Sequence, residues 1–408
     1  MSHVSVVIVG AGQAGLAVSH LLTSAGVDHV VLERGRTAQR WDSHYWDSLR
    51  LLTPNWLSRL PGYRYTGEDP AGFMTAAEVS GFLRTYALGA PVVEGAEVTS
   101  VHAGGAGYRV RTGAGTWSAR AVVVATGWCD LPRLPGAALD TRVEQLTPAS
   151  YRNPATLPDG GVLIVGASAS GTQLADELVT AGRTVMLAVG SHSRLPRRYR
   201  GFDIMWWLDA MGVLDRRLDE RRSPAEPSMQ LVGRSDGRDV DLRTLQDRGV
   251  RLAGRLTGVD GHRLRFADDL ADTTRRADRR LVNLLRRVEG FARAARLSAE
   301  IEEPPVRAAR TGGAVSALDL RRTGIGSVIW ATGYRRAYPW LHVPVLDPAG
   351  EIRHRAGATA APGLYVIGMR WQSRRNSAQL DGVRHDAVTV VSRVLDHLGA
   401  GSHLRRAA

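Results

Sequence analysis

A glycine motif near the start of the chain constrains the fold more than any other feature. Residues 4–33 read VSVVIVGAGQAGLAVSHLLTSAGVDHVVLE, which predicts a buried strand, a glycine turn, an amphipathic helix and a second strand. Gly10 permits the tight bend, Gly12 lets backbone approach a pyrophosphate, and Gly15 lets the helix pack closely on the strand. The second strand ends at Glu33, whose carboxylate can accept hydrogen bonds from a ribose. The unit predicts a dinucleotide site, with FAD favoured over a nicotinamide. The alternative is a glycine-rich turn that binds nothing.

The same pattern recurs 156 residues later, in residues 162–189. Gly166, Ser168 and Gly171 occupy the three motif positions, and the following strand ends at Gly190 instead of an acid. Basic residues then follow, and arginines without an acid suit the 2′-phosphate of NADPH, which a carboxylate would repel. The second motif therefore predicts NADPH, although an ordinary basic loop is the alternative.

Three further strands end in small residues. One ends at Ala125, Thr126 and Gly127, a second repeats Ala-Thr-Gly at 331–333, and a third ends at Gly368, ahead of a helix predicted over 377–398. We expect the last ninety or so residues to return to the first domain. The predicted fold class is α/β with two Rossmann-like dinucleotide-binding domains. The first comprises residues 1–150 and 320–408, and residues 151–319 form the second, inserted domain.

The segment after Glu33 is rich in arginine and tryptophan and has little periodicity. A long loop directly after a dinucleotide motif is usually functional. Arg34 and Arg40 are candidates for phosphate contact and Trp41 for stacking on the cofactor. Solvated arginines and a core tryptophan are the alternative at these positions.

Composition excludes several classes of site. The chain has 408 residues, a net charge of +13 and 53 basic residues, all arginine, so a lysine Schiff base is impossible. The single cysteine, Cys129, excludes an internal disulfide and a dithiol, and no metal site is predicted. Spread-out arginines without a recognition motif argue against nucleic acid. The absence of a run of about 18 apolar residues and of a signal peptide predicts a cytoplasmic protein without membrane association.

The order of these motifs resembles the class B flavin-dependent monooxygenases, a group that includes the plant YUCCA enzymes. The resemblance covers essentially the whole chain and rests on WDSLRLLTP (46–54), YRNP with VLIVGASASG (151–171) and VIWATGY (328–334). It implies bound FAD, reduction by NADPH, and a flavin C4a-(hydro)peroxide formed with O2 that oxygenates nitrogen, sulfur or a carbonyl carbon. The family fingerprint is degenerate here, since Leu139, Thr141 and Thr147 replace its Phe, Gly and His. Leu52 corresponds to an asparagine that many N-oxygenating members hold near the flavin.

The motifs and the resemblance together predict two sets of cofactor-binding residues. The FAD set is Gly10, Gly12, Gln13, Ala14, Gly15, Glu33, Arg34, Arg40, Trp41, Leu52, Thr53, Ala125, Thr126, Gly127, Gly368, Gln379 and Leu380. The NADPH set is Gly166, Ser168, Ser170, Gly171, Ser191, Arg194, Arg197, Thr332 and Gly333. No catalytic residue beyond the flavin is predicted.

The leading hypothesis is an NADPH-dependent, FAD-containing monooxygenase that acts with O2 on a small or medium organic substrate. The enzyme alternative is an FAD-dependent reductase or oxidase that passes electrons to a quinone or a partner without a dithiol. The non-enzyme alternative is a nucleotide-binding module. A homodimer is the default expectation for such a protein.

Overall fold

The computed structural model describes residues 1–105, 107–136, 142–218, 229–297, 307–313 and 315–399. Leu139 and Thr141 of the family fingerprint lie outside these residues. The first part of the chain carries β1 (Ser2–Val9), α1 (Gln13–Ser24), β2 (His29–Leu32), α2 (Gln39–Ser43), β3 (Arg59–Leu60), β4 (Tyr63–Arg64), α3 (Ala76–Tyr86), β5 (Val92–Val93), β6 (Val98–Gly104), β7 (Gly107–Thr112), β8 (Gly115–Val124) and β9 (Leu131–Pro132).

The middle and the end of the chain repeat the alternation of strands and helices. The middle carries β10 (Glu144–Leu146), β11 (Gly161–Val165), α4 (Ala169–Thr180), β12 (Val185–Ala188), β13 (Ser193–Arg194), β14 (Arg198–Tyr199), β15 (Phe202–Asp203), α5 (Ile204–Ala210), β16 (Met229–Gln230), α6 (Leu242–Asp247), β17 (Arg251–Ala253), β18 (Leu256–Asp260), β19 (Arg263–Phe266), α7 (Leu270–Ala294), β20 (Ala317–Asp319), α8 (Leu320–Thr323), β21 (Ile325–Trp330) and β22 (Tyr334–Arg335). The end carries β23 (Leu341–His342), β24 (Leu364–Val366) and α9 (Val383–Leu398).

Two sheets organise these elements: the first is mixed, with an antiparallel part at β6, β7 and β8, and the second is parallel. The first has the order β23-β6-β7-β8-β1-β2-β5, with β24 also paired to β8, and the second has the order β10-β21-β11-β12-β17. Strands β24, β8, β1 and β2 pair in parallel, so their carboxyl ends meet at one edge of the first sheet. Ligands of open α/β sheets bind at such an edge.

Each sheet has its own apolar core, because its central strands are buried on both faces. Val6, Ile8 and Val123 pack under α1 and α9 in the first sheet. Val162 and Ile164 pack under α4 in the second. The predicted fold class, two Rossmann-like domains, is confirmed.

The main difference from the predicted domain boundaries is the domain to which the strand before the second Ala-Thr-Gly belongs. Strand β21 pairs with β11 and β10 in the second sheet, although the predicted boundaries at 150 and 320 put both β10 and β21 in the first domain. The two crossings between the sheets lie instead at β9 and β22, which pair antiparallel with each other. We infer that the inserted domain runs from about 133 to 333.

The last helix also differs from its predicted bounds. It begins at Val383, six residues after the predicted start at 377. The preceding residues form a turn in which the Ser377 hydroxyl accepts hydrogen bonds from the backbone N–H groups of Ser373 (3.1 Å) and Arg374 (2.9 Å). A serine that bonds to the backbone in this way competes with a helical turn.

Candidate cofactor site

The first glycine loop has the close contacts that the motif predicts. Gly10 has a φ of +107°, and a Cβ atom there would lie 2.8 Å from the carbonyl oxygen of Ala125. A Cβ atom on Gly15 would lie 1.9 Å from the carbonyl oxygen of Gly10. Both positions therefore require glycine, since a Cβ atom at such a distance would collide with the backbone. Gly12 differs, because a Cβ atom there would meet nothing within 4 Å of protein.

Glu33 is held at the end of β2 with its carboxylate fixed by two backbone donors. The N–H of Ala11 donates to one carboxylate oxygen (2.8 Å) and the N–H of Gly35 donates to the other (3.0 Å). The carboxylate thus lies beside the glycine loop, and its remaining lone pairs can accept from a diol. This is the arrangement that ribose recognition needs.

A cavity of about 400 Å³ opens on this loop. Most of the predicted FAD residues line it: Gly10, Gly12, Gln13, Ala14, Glu33, Arg34, Arg40, Trp41, Ala125, Thr126, Gly127 and Gly368. Three strand ends and the loop after β2 meet here, which explains how residues so distant in sequence come together. Gly368 (φ +86°) closes the wall, and a Cβ atom there would lie 3.0 Å from the Cβ atom of Ala14.

Two arginines in the cavity can pair with an anion, although the carboxylates of Glu33, Glu97 and Asp130 line it as well. Arg34 and Arg40 both line it, and Arg40 is only loosely paired with Asp130, at 3.8 Å. Burial, followed by the charge of Arg40, lowers the pKa of the neighbouring His44, so this ring is neutral near pH 7. The Trp41 ring stacks on the Tyr45 ring, with centroids 4.8 Å apart, and forms an apolar wall.

Five predicted FAD residues are not part of the cavity lining: Gly15, Leu52, Thr53, Gln379 and Leu380. Leu380 is 7% exposed and belongs to the core beneath α9. The cavity therefore brings together the part of the predicted set that suits the adenosine and the pyrophosphate.

The second glycine loop has nearly the same backbone as the first. Gly166 has a φ of +109°, and a Cβ atom on Gly171 would lie 1.8 Å from the carbonyl oxygen of Gly166. Ser168 caps α4 with φ −87° and ψ −167°, and Gly12 caps α1 with φ −86° and ψ −175°. Neither cap makes a side-chain hydrogen bond to its helix, so the first backbone N–H groups of both helices remain available to a phosphate.

The other residues of the predicted NADPH set are more scattered. Ser170 lies in the first turn of α4, and Ser191 is exposed just beyond β12. Thr332 and Gly333 lie at the crossing between the sheets, where the Thr332 hydroxyl donates to the carbonyl oxygen of Arg133 and the Gly333 carbonyl accepts from the Arg133 N–H at 2.9 Å.

The two predicted phosphate-binding arginines are engaged inside the protein. The Arg194 guanidinium donates to Asp241 (2.9 Å), to Asp278 (2.9 Å) and to the carbonyl oxygen of Arg307 (2.6 Å). Arg197 is 1% exposed. The structure therefore does not present Arg197 to a phosphate, because burial separates it from the surface where Ser191 lies.

Sequence reasoning missed another arginine at this strand end. Arg280 of α7 donates to the carbonyl oxygen of His192 at 2.9 Å and so brings a guanidinium beside Ser191. Its only sequence signal was membership of a basic run on a helix, which does not show what the run faces.

Cys129 lies in the wall of the first cavity. Burial raises the pKa of its thiol to about 12, so the thiol stays protonated near neutral pH. With no second cysteine in the chain, it does not form a redox dithiol.

Comparison with known proteins places this fold and site in a family. An uncharacterized CzcO-like oxidoreductase of Geobacillus kaustophilus is 31% identical over 97% of this chain and 100% of its own length. The chain belongs to the CzcO-like oxidoreductase family. A family model described as pyridine nucleotide-disulphide oxidoreductase matches residues 7–204.

Flavin monooxygenases are also among the proteins that this chain is similar to. The rice indole-3-pyruvate monooxygenase YUCCA1 is 31% identical over 48% of this chain and 50% of its own length. A solved flavin-containing monooxygenase from Stenotrophomonas maltophilia shares the fold, with a TM-score of 0.68, 22% identity, and coverage of 98% of this chain and 100% of its own. The predicted class B flavin monooxygenase family is confirmed. The protein is a flavin-dependent oxidoreductase, and the cofactors of the family are FAD and NADPH.

The residues of the first loop fit FAD. A glycine-lined approach, free N–H groups at α1 and the fixed carboxylate of Glu33 match the pyrophosphate and ribose. Within the described ranges, no helix is both long and apolar enough to cross a membrane.

Proposed function

We propose that the protein is an NADPH-dependent FAD monooxygenase that oxygenates a small or medium organic substrate at nitrogen, sulfur or a carbonyl carbon. The observation that carries the proposal is the pair of glycine loops with matching backbone, one followed by a fixed acid and the other by none. Two such loops in one chain suit two dinucleotides with different tasks.

FAD would supply the redox chemistry, with NADPH as the two-electron donor and O2 as the acceptor, so that one oxygen atom would enter the substrate and the other would leave as water. The chain itself binds and orients. Glu33 holds the ribose, the N-terminus of α1 and the two cavity arginines hold the pyrophosphate, and the Trp41–Tyr45 stack shields one wall from water.

Cys129 supports this proposal over a disulfide reductase. A single buried thiol with a raised pKa does not exchange with a disulfide, so electrons that reach the flavin need another acceptor. O2 is an acceptor that needs no further protein group.

Product analysis with labelled oxygen tests the function. Purified enzyme with FAD and NADPH is incubated under ¹⁸O2 with a panel of amines, thioethers and ketones, and products are identified by mass spectrometry. We expect one ¹⁸O atom in one product class and none without enzyme. Release of all the oxygen as peroxide, with no labelled product, would instead indicate an oxidase. Anaerobic turnover with a quinone alone would favour the reductase alternative.

The choice of NADPH over NADH is tested at Arg280. Because its guanidinium lies beside Ser191 at the end of the second domain's strand, we expect Arg280→Gln to raise the KM for NADPH about tenfold and to leave that for NADH unchanged. Arg276→Gln, one helical turn earlier, is the matched control. Equal effects on both nucleotides, or none, would contradict the assignment. A calorimetric titration with 2′,5′-ADP reports the same contact without turnover. The substrate, a cytoplasmic location and a homodimer stay predictions.

A further inference from the structure

Arg197 makes unusual contacts for a buried cation. It belongs to the inserted domain, where its guanidinium forms an ion pair with Asp203. Its Nη1 atom donates at 2.8 Å to the carbonyl oxygen of Leu52, in the first domain. The guanidinium also lies over the ring of Phe73, another first-domain residue, at 4.9 Å from the centroid. Burying a charged group is costly unless it is paired and hydrogen-bonded, and part of that pairing comes from the other domain.

Asp203 fixes the direction of this guanidinium. The same carboxylate oxygen accepts the backbone N–H of Met205 at 2.8 Å and so caps α5. The backbone N–H of Arg197 in turn donates to Asp239 at 2.5 Å. The backbone and the guanidinium of Arg197 are therefore both anchored in the inserted domain, while one guanidinium nitrogen also reaches Leu52.

A second contact joins the same two places. A Cβ atom on Gly233 would lie 1.9 Å from the carbonyl oxygen of Leu51, so the two backbones touch. Three residues earlier, the buried side chain of Gln230 donates to the carbonyl oxygen of Ala167 at 2.7 Å. Residues 230–233 thus contact the second glycine loop at one end and Leu51 at the other.

We infer that Arg197 is a positioning residue, which together with Gly233 holds the inserted domain at a fixed distance and angle from residues 51–53. The inference rests on the proposed function in one respect, that FAD binds at the first glycine loop and NADPH at the second. The contact would set the distance and angle between the two glycine loops, and so the approach of the reduced nucleotide on the second loop to the flavin. A misplacement of about 1 Å in such a pair lowers the rate by about 100-fold.

General adhesion between the domains is the competing explanation. Adhesion alone predicts that loss of Arg197 lowers stability, FAD retention and nucleotide affinity together. Positioning predicts a lower rate of hydride transfer while both nucleotides still bind, because neither glycine loop contains Arg197.

The experiment compares Arg197→Gln, Arg197→Lys and the control Arg200→Gln. Arg200 lies three residues away and pairs with Glu289, which belongs to the same domain. Anaerobic stopped-flow mixing with NADPH gives the limiting rate of flavin reduction and the dissociation constant separately. For Arg197→Gln we expect a rate about 10- to 100-fold lower with the dissociation constant changed by less than about threefold. For Arg197→Lys we expect an intermediate rate, since an ammonium cannot bridge Asp203 and Leu52 in the same fork geometry.

Hydrogen–deuterium exchange gives a readout that needs no nucleotide. Without NADPH, the peptide spanning residues 46–57 should exchange faster in Arg197→Gln than in the wild type or Arg200→Gln. Wild-type reduction rates with unchanged exchange would overturn the inference, and so would a parallel loss of rate, affinity and bound FAD. Should Arg197→Gln not fold, Gly233→Ala is measured in the same way, with the same expectation. If NADPH does not reduce the wild type, the proposed function fails, while the exchange comparison still shows whether Arg197 holds residues 46–57 in place.

Discussion

Helices α1 and α4 begin with almost identical backbone, yet the layers that cover them have opposite character. Helix α1 lies against α9, and the contact is apolar, with Val18 and Leu22 among Val390 and Val394. Helix α4 instead carries the buried Asp176, which three arginines of the inserted domain surround. By the 156-residue offset, Asp176 corresponds to His20 of α1. The same glycine turn sets the loop geometry in both domains, whereas the outer layer is apolar in one and ionic in the other.

The largest effect is expected from a change in the ionic layer around Asp176. We expect Asp176→Asn to lower the free energy of unfolding by about 2–3 kcal/mol, because it leaves three guanidinium groups without their common carboxylate. The arginine side chains are 27–37% exposed, so water offsets part of the loss. The matched change His20→Asn should cost less than about 1 kcal/mol. Urea unfolding of both variants measures the difference, and equal losses would show that the two layers do not differ as described.

The two capping positions distinguish the loops by their ligands. Gly12→Ala should leave the melting temperature of the FAD-free protein unchanged, since the new methyl group meets no protein atom within 4 Å. We expect it to weaken FAD binding by about tenfold or more, because the methyl group occupies the space that the pyrophosphate needs. The equivalent residue of the second loop, Ser168, already has a Cβ atom. Ser168→Ala should therefore leave FAD binding unchanged. Fluorescence titration with FAD measures the affinity. Unaltered binding in Gly12→Ala would contradict the assignment of FAD to the first loop.

Glu177, next to Asp176, is expected to give the smallest difference between the two helices, a difference in stability that depends on pH. Burial raises the pKa of its carboxyl group to about 7, while its counterpart in α1 is Leu21. The folded protein therefore holds a proton that the unfolded chain releases near its ordinary pKa of 4.5. The resulting stabilisation is complete below about pH 4.5 and is lost as pH rises to about 7.

Glu177→Gln should abolish this decline. Since the side chain is partly exposed, we expect the variant to be only about 1 kcal/mol more stable than the wild type at pH 8, with the difference shrinking toward pH 5. Thermal melts across that range give the profile, with the exposed Glu144→Gln as control. A constant offset between variant and wild type at all pH values would point to packing instead of ionisation.

Local patterns predicted both nucleotide loops well. Strand, glycine turn and helix are fixed by residues close in sequence, so Gly10, Gly15, Gly166 and Gly171 take the predicted roles. Local spacing has the same effect at the start of α3, where Thr75 and Glu78, three residues apart, form a capping box.

Long-range partners could not be predicted in the same way. A buried strand followed by Ala-Thr-Gly looks the same whichever sheet it joins, and only pairing with β11 shows where β21 belongs. An arginine after a strand looks the same whether it faces solvent or Asp203, so Arg197 was expected at the surface. The position of Arg280 beside Ser191 depends on how a helix about ninety residues away packs, which no local spacing encodes.

The paired crossings β9 and β22 make the inserted domain a removable cassette. Because Leu131–Pro132 and Tyr334–Arg335 lie side by side in one antiparallel ladder, the cassette starts and ends about 4.8 Å apart. A chain that left and re-entered the first sheet here would need only a short turn to close the gap, and no first-sheet strand would lose its partner. The second nucleotide site could thus be gained, exchanged or lost by recombination as a single block, with the first cofactor cavity left in place.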